Sequence, residues 1–288
     1  MRYRWEIALI AVAAVWGSTF VLVQDAVERV PPFLFIALRF GVASLVLAAA
    51  GAFRGIRRDE VIAGGIIGLA LFSGYAFQTV GLQYTSPSNA GFITGLFVVI
   101  TPLLGAVLLR RLPGASASAG ALLATGGLIL LAMPDGFALG RGDGLVLVAA
   151  TSFAVHILVI ARHGAGRSPL RLAGVQIATA TVLASLWSIG EEGARVPSDG
   201  FVWFAIVLTG VLATAAAFFI QTAAQRSIPP TRTAVILSAE PAFAGIFGFL
   251  LAGDRLGTRG YAGAGLIMVG ILVAELLAPE REQVAETV

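Results

Sequence analysis

The chain of 288 residues has no cysteine, no lysine and only two histidines, and only 12% of it is charged. Each scarcity removes a class of function. Without cysteine there is no disulfide, no thiolate metal site and no cysteine nucleophile. His156 and His163 alone do not make a dedicated metal centre, so no metal and no cofactor is expected. No Gly-x-x-x-x-Gly-Lys loop is present, which excludes ATP-driven pumping by this chain. His-Glu-x-x-His, Asp-rich and Gly-x-Ser-x-Gly patterns are also missing, so an enzyme is not expected. The shortage of charge is itself informative, because a soluble domain usually carries about 25% charged residues.

What fills the chain is apolar: 58% of the residues are hydrophobic and the mean hydropathy is +0.91. A membrane-spanning helix needs about 20 mainly apolar residues. Ten such runs can be read, at about 7–24, 33–51, 61–82, 88–109, 117–133, 144–161, 171–190, 200–224, 231–251 and 258–277. Turn-forming groups separate them, among them Pro31-Pro32, Arg57-Arg58-Asp59-Glu60, Ser86-Pro87, Pro113-Gly114, Pro197-Ser198-Asp199-Gly200 and Pro229-Pro230. The first run follows Arg2-Tyr3-Arg4-Trp5 and could pass for a signal peptide. Nine similar runs follow it, so it is read as a span. The bilayer is therefore the expected environment, and no soluble domain of any size fits in the remainder.

The pI near 9.9 comes from 19 basic residues, all arginine. In a soluble protein it would suggest nucleic acid; here membrane orientation explains it, and no nucleic-acid partner is expected. The N-terminus, alternate loops and C-terminus hold 13 arginines, whereas the opposite loops hold five, Arg29, Arg141, Arg195, Arg255 and Arg259. Both termini are thus expected in the cytoplasm.

The chain also echoes itself. Gln78-Thr79 recurs as Gln221-Thr222, 143 positions on, and that offset gives 12 identities over the 56 positions from Ala76 to Leu131. Pro87 meets Pro230, Gly105 meets Gly248 and Ala119-Gly120-Ala121 meets Ala262-Gly263-Ala264. Over the first spans an offset of 137 sets Trp16 on Phe153, Thr19 on His156, Pro32 on Pro169 and Arg39 on Gln176. Five spans per unit force the second copy to enter the membrane from the other side, and inverted repeats are a hallmark of transporters. The expectation is an all-α integral membrane protein of ten transmembrane helices in two inverted five-helix repeats, residues 1–135 and 136–288.

Several features resemble the EamA group of the drug/metabolite transporter superfamily. They are the ten-span plan, Trp16-Gly17-Ser18-Thr19-Phe20, Arg39-Phe40, Gln83-Tyr84-Thr85-Ser86-Pro87, Ser238-Ala239-Glu240-Pro241 and Gly253-Asp254-Arg255-Leu256. The first half departs from the second, with Phe97-Val98 standing where the second half has Glu240-Pro241. The resemblance implies export of small metabolites, often amino acids, across the bacterial inner membrane. It also implies a central cavity lined by both halves, with spans five and ten at the periphery.

Candidate site residues follow from the cost of polarity in a membrane. An ionisable group within a span costs about 2.5–3.5 kcal/mol on insertion scales and normally faces a cavity or a partner. Arg39 fits a substrate carboxylate or a structural hydrogen-bonding role. Glu240, beside a helix-breaking proline, fits coupling or a fixed structural role. His156 fits proton exchange or a neutral hydrogen bond. Gln78, Thr79, Gln221 and Thr222, paired by the repeat, are candidates for pore lining or for interhelical hydrogen bonds, and Thr19 and Ser238 join them. Trp16, Tyr75, Phe92, Phe97 and Phe219 offer aromatic surface for a substrate, or plain packing. Trp5, Trp187 and Trp203, near span ends, suit an interfacial belt. Glycines at 64, 65, 68, 91, 95, 263, 265 and 270 suit close helix packing.

The expected function is a secondary or facilitative exporter working by alternating access as a monomer. Its substrate would be a small molecule, an amino acid or related metabolite, with neutral and aromatic amino acids favoured by the apolar, aromatic lining. Other small metabolites or drugs are the alternative substrates, and a receptor or scaffold is the alternative without transport.

Overall fold

The structure is a computed structural model, and residues 4–108, 115–132, 140–193, 196–255 and 257–276 are described. Every regular element among them is helical. The first three helices are α1 (Arg4–Val27), α2 (Pro32–Ala49) and α3 (Arg58–Gly81). Proline begins several helices, at Pro32, Pro87, Pro169 and Pro230, where its missing N–H costs nothing. Within a bilayer every backbone polar group must be satisfied inside the segment, which leaves helices as the form these runs take.

The fourth apolar run is not one continuous helix. It forms α4 (Pro87–Thr94) and α5 (Phe97–Leu108), interrupted at Gly95-Leu96, where hydrogen bonds shorten to the i→i−3 type. After α6 (Ala115–Ala132), α7 (Arg141–Gly164) and α8 (Pro169–Trp187), the eighth run is also irregular. It consists of α9 (Gly200–Gly210), a wide π turn over Val211–Ala216, and α10 (Ala217–Ala224). The ninth run breaks at Ser238-Ala239 between α11 (Pro230–Leu237) and α12 (Glu240–Phe247), again with i→i−3 bonds. The last described helix is α13 (Thr258–Leu276). The two interruptions, at 95 and 238, are themselves 143 positions apart.

Eight helical segments among the described residues are long and apolar enough to cross a membrane, from Arg4–Val27 to Arg232–Ala252. The other two helices, α6 and α13, pack chiefly on each other, with α6 also touching α5 and α13 touching α11. The boundary expected between the halves, at residues 135 and 136, lies outside the described residues.

Glycine sets how closely the helices approach. A Cβ on Gly91 would lie 2.2 Å from Ala244 Cβ, and one on Gly95 would lie 2.2 Å from Pro241 Cγ. The two interrupted helices therefore meet at their breaks, with Phe92 laid over Gly245. A Cβ on Gly64 or Gly68 would strike Val175 or Thr179 of α8, and one on Gly127 would strike Gly263 O. Gly65 and Gly265 depart from the packing expectation, since nothing lies within 4 Å of a Cβ built on either. Large apolar side chains such as Leu45, Val182, Leu186 and Phe204 are exposed on the outer surface, as lipid contact requires.

At the ends of the bundle, carboxylates cap helices from distant parts of the chain. Glu60, only 1% exposed, accepts from Arg57 N at 3.0 Å, Ser168 N at 3.1 Å and Arg171 Nη1 at 3.1 Å. Glu192 accepts from Phe33 N at 3.0 Å and Leu34 N at 2.9 Å at the start of α2. Asp254 accepts from Ser88 N at the start of α4, 3.0 Å away. Asp199 sits outside the spans and holds Arg29 at 2.8 Å. The Arg29 hydrogen bond, followed by that of Phe201 N, keeps its carboxyl below the usual range.

Candidate functional site

The helices enclose a cavity of about 50 Å³ that opens at its mouth. Its walls come from α1, α2, α3 and the α4–α5 break on one side of the sequence, and from α7, α10 and the α11–α12 break on the other. Among the described residues, neither α6 nor α13 contributes to the lining.

Arg39 projects from α2 and is 3% exposed. Its Nε donates to Thr214 Oγ1 at 2.8 Å, and Nη2 donates to Tyr75 Oη at 3.3 Å and Ala213 O at 3.4 Å. Thr214 and Ala213 both belong to the π turn, and Ala213 O also accepts from Trp16 Nε1 at 2.8 Å; π segments of this sort recur at functional sites. The guanidinium also lies 4.8 Å from the Tyr75 ring centre, within cation–π range.

Aromatic rings form the neighbouring wall. Tyr75 meets Phe153 and Phe218 edge-on at centroid distances of 5.5 and 5.9 Å, and Phe218 lies 5.3 Å from Trp16. Such arrangements place ring edges and faces in the geometry aromatic pairs prefer. His156, 1% exposed, pairs through Nε2 with Gln176 Oε1 at 2.7 Å. Gln176 Nε2 donates in turn to Thr222 Oγ1 at 3.0 Å. The Gln176 carbonyl thus faces the imidazole Nε2 as an acceptor, which fixes the tautomer with hydrogen on Nε2. On the opposite wall Gln78 Nε2 donates to Thr94 Oγ1 at 3.0 Å. Gln221 Oε1 is buried and has no hydrogen-bond partner. Glu240, 4% exposed at the start of α12, lines the same cavity, and among the described residues nothing hydrogen-bonds its carboxylate.

The structure brings Trp16, Thr19, Arg39, Tyr75, Gln78, Phe97, His156, Gln221 and Glu240 together around this cavity. It places five other sequence candidates elsewhere. Thr79 is buried one residue beyond Gln78, about 100° further round α3. Phe92 packs on Gly245 between α4 and α12. Phe219 packs against the neighbouring core, and Phe218 takes the wall position instead. Thr222 Oγ1 donates to Phe218 O at 2.6 Å and supports Gln176 from behind. Ser238 Oγ donates back to Val235 O at the helix break. Of the residues aligned by the 137-residue offset, Thr19, His156 and Arg39 share the cavity, whereas Gln176 stands behind His156 and bonds it.

Phe20, Val23, Leu82, Thr94, Phe153, Ile157, Phe218 and Leu237 line the cavity without having been singled out from sequence. For Phe153 a signal existed in its alignment with Trp16 at the 137-residue offset. For Leu82, Ile157 and Leu237, apolar residues in apolar helices, none did.

Apolar spanning helices closed around an aromatic and polar cavity define a multi-pass helical membrane protein with an internal cavity. The chain belongs to the EamA-like transporter family, whose model matches residues 3–133 and again 140–276. It is similar to an uncharacterized transporter of Archaeoglobus fulgidus, with 31% identity over 271 residues covering 94% of this chain and 85% of that one. It also resembles the aromatic amino acid exporter YddG of Ancylobacter novellus, 28% identical over 281 residues and covering 91% of this chain and 93% of the relative. The uncharacterized inner membrane transporter YedA of Escherichia coli is 26% identical, covering 100% of this chain and 98% of that one. A solved crystal structure matches with a TM-score of 0.68 and 26% identity, covering 95% of this chain and 97% of the other.

Proposed function

We propose that this protein is a secondary or facilitative exporter of small metabolites, with neutral and aromatic amino acids as its foremost substrates. The observation that carries the proposal is the cavity whose aromatic wall (Trp16, Tyr75, Phe153, Phe218) stands beside isolated polar groups (Arg39, Gln78, His156, Gln221, Glu240). Ligand sites commonly combine an apolar lining with a few placed polar groups. Family membership and the likeness to an aromatic amino acid exporter support the same reading.

In this proposal ten helices span the bacterial inner membrane, α6 and α13 included, with both termini in the cytoplasm. Residues 1–135 and 136–288 form the two inverted halves and rock about the cavity to expose it to each face in turn. The paired interruptions at Gly95-Leu96 and Ser238-Ala239 support this mechanism, because broken helices near the midplane mark transporter sites. The residues act by binding and not by bond chemistry, so no enzymatic role is assigned.

Counterflow in proteoliposomes tests the proposal. Vesicles loaded with unlabelled L-phenylalanine should accumulate labelled L-phenylalanine above protein-free controls, with leucine competing. Binding without flux would favour the receptor reading. No exchange across a broad panel of amino acids and metabolites would refute the exporter.

A further inference from the structure

Arg39 and Glu240 are almost wholly buried, at 3% and 4% exposure, and they line one cavity, yet they do not form an ion pair with each other. Arg39 uses Nε and Nη2 on Thr214, Tyr75 and Ala213 O, and among the described residues the two N–H groups of Nη1 have no partner. The Glu240 carboxylate likewise receives no hydrogen bond from any described residue. Charges are ordinarily buried only when paired, because desolvation of a lone ion costs several kcal/mol. A cavity that keeps a guanidinium edge and a carboxyl apart, each without a partner, is therefore complementary to a ligand that brings a carboxylate to the one and an ammonium group to the other.

Building on the exporter reading, the geometry points to Arg39 and Glu240 as the two poles of a zwitterion site. Arg39 Nη1 receives the substrate carboxylate and Glu240 receives its ammonium group. The poles enter from separate parts of the fold, Arg39 from the middle of α2 and Glu240 from the first turn of α12. Arg39 is held in place by the π turn, so its free edge is presented without the substrate having to order it. The substrate side chain then meets the wall of Trp16, Tyr75, Phe153 and Phe218. His156, the remaining titratable group on the lining besides Tyr75, is occupied by Gln176 Oε1 and is not a pole. The site would take α-amino acids as a class, and a molecule lacking either charge would leave the opposite pole buried and unpaired.

The test compares L-phenylalanine with phenethylamine, which lacks the carboxylate, and 3-phenylpropionate, which lacks the ammonium group. Each competes for labelled L-phenylalanine counterflow in proteoliposomes of the wild-type protein. Both analogues are expected to compete at least roughly 30-fold more weakly, since truncating one partner of a buried charge pair costs that much or more. Glu240→Gln should weaken L-phenylalanine and phenethylamine while sparing 3-phenylpropionate, and Arg39→Gln should spare phenethylamine. The wild-type comparison needs no substitution and so stands even where a variant misfolds. Exchange of L-phenylalanine with equal competition by all three compounds would overturn the zwitterion site and leave the exporter intact. Exchange of uncharged metabolites alone would do the same. Absence of any exchange would overturn both.

Discussion

Glu60→Ala provides a quantitative test of how the ends of the helices are tied together. The carboxylate is 1% exposed and takes hydrogen bonds from two backbone amides, Arg57 N and Ser168 N, as well as from Arg171. Removing it strands those two amides, at about 1–3 kcal/mol for each donor left unsatisfied. The Arg171 contribution is smaller, since that side chain is 31% exposed and solvent screens the pair to about 1 kcal/mol or less. The sum is about 2–7 kcal/mol, equivalent to a fall of about 4–28 °C in Tm at about 2–4 °C per kcal/mol. Thermal melts of purified protein in one detergent provide the assay. Glu60→Gln should fall between the wild type and Glu60→Ala, because its carbonyl oxygen still accepts one amide while its NH2 opposes the other donor. A shift below about 2 °C for Glu60→Ala would refute the claim that this carboxylate ties α3 to the start of α8.

Three further substitutions test the cavity and the crossing beside it. Gly91→Leu puts a side chain where even a Cβ lies 2.2 Å from Ala244 Cβ, so it should cost at least about 1–3 kcal/mol by overpacking, seen as a lower Tm and loss of monodispersity. Trp16→Phe removes the 2.8 Å donation to Ala213 O and should cost about 1 kcal/mol in a melt, with a slower exchange rate from a displaced Arg39. Phe218→Ala strips a ring from the aromatic wall and should weaken competition by phenylalanine roughly 2–10-fold more than competition by alanine, measured by counterflow.

The spans were legible because a run of about 20 apolar residues stands out in any composition. Helices Arg4–Val27, Pro32–Ala49 and Arg58–Gly81 fall within a few residues of the runs read at 7–24, 33–51 and 61–82. The interruptions were less legible. Gly95-Leu96 lies in an apolar stretch, and hydropathy does not register a change from i→i−4 to i→i−3 bonding, whereas at Ser238-Ala239 the helix-breaking proline beside Glu240 was a signal. The site was legible where polarity marked it: Arg39, Gln78, His156, Gln221 and Glu240 are expensive in lipid, and all five line the cavity. Its aromatic part was less so. In a spanning helix the lipid face and the core face are both apolar, so no periodicity says which way a ring points. Phe218 and Phe219 are neighbours about 100° apart, and only Phe218 reaches the wall. The π turn over Val211–Ala216 just before them turns the helix by an amount that no local sequence signal records. Thr222 and Thr79 illustrate the same limit, since a hydroxyl can satisfy itself on its own helix or behind a lining residue, as Thr222 does on Phe218 O.

The central claim is that the transported molecule passes between Trp16, Gln78, Gln221 and their neighbours. Gln221→Cys in this cysteine-free chain tests it most directly, because Gln221 lines the cavity and its carbonyl oxygen has no partner to lose. A water-soluble methanethiosulfonate added to proteoliposomes should label that single thiol. L-Phenylalanine should slow the labelling, and labelled protein should lose counterflow in proportion to the extent of modification. A fully labelled protein that exchanges L-phenylalanine at the unlabelled rate, or a thiol that stays unreactive under all conditions while exchange proceeds, would contradict the account.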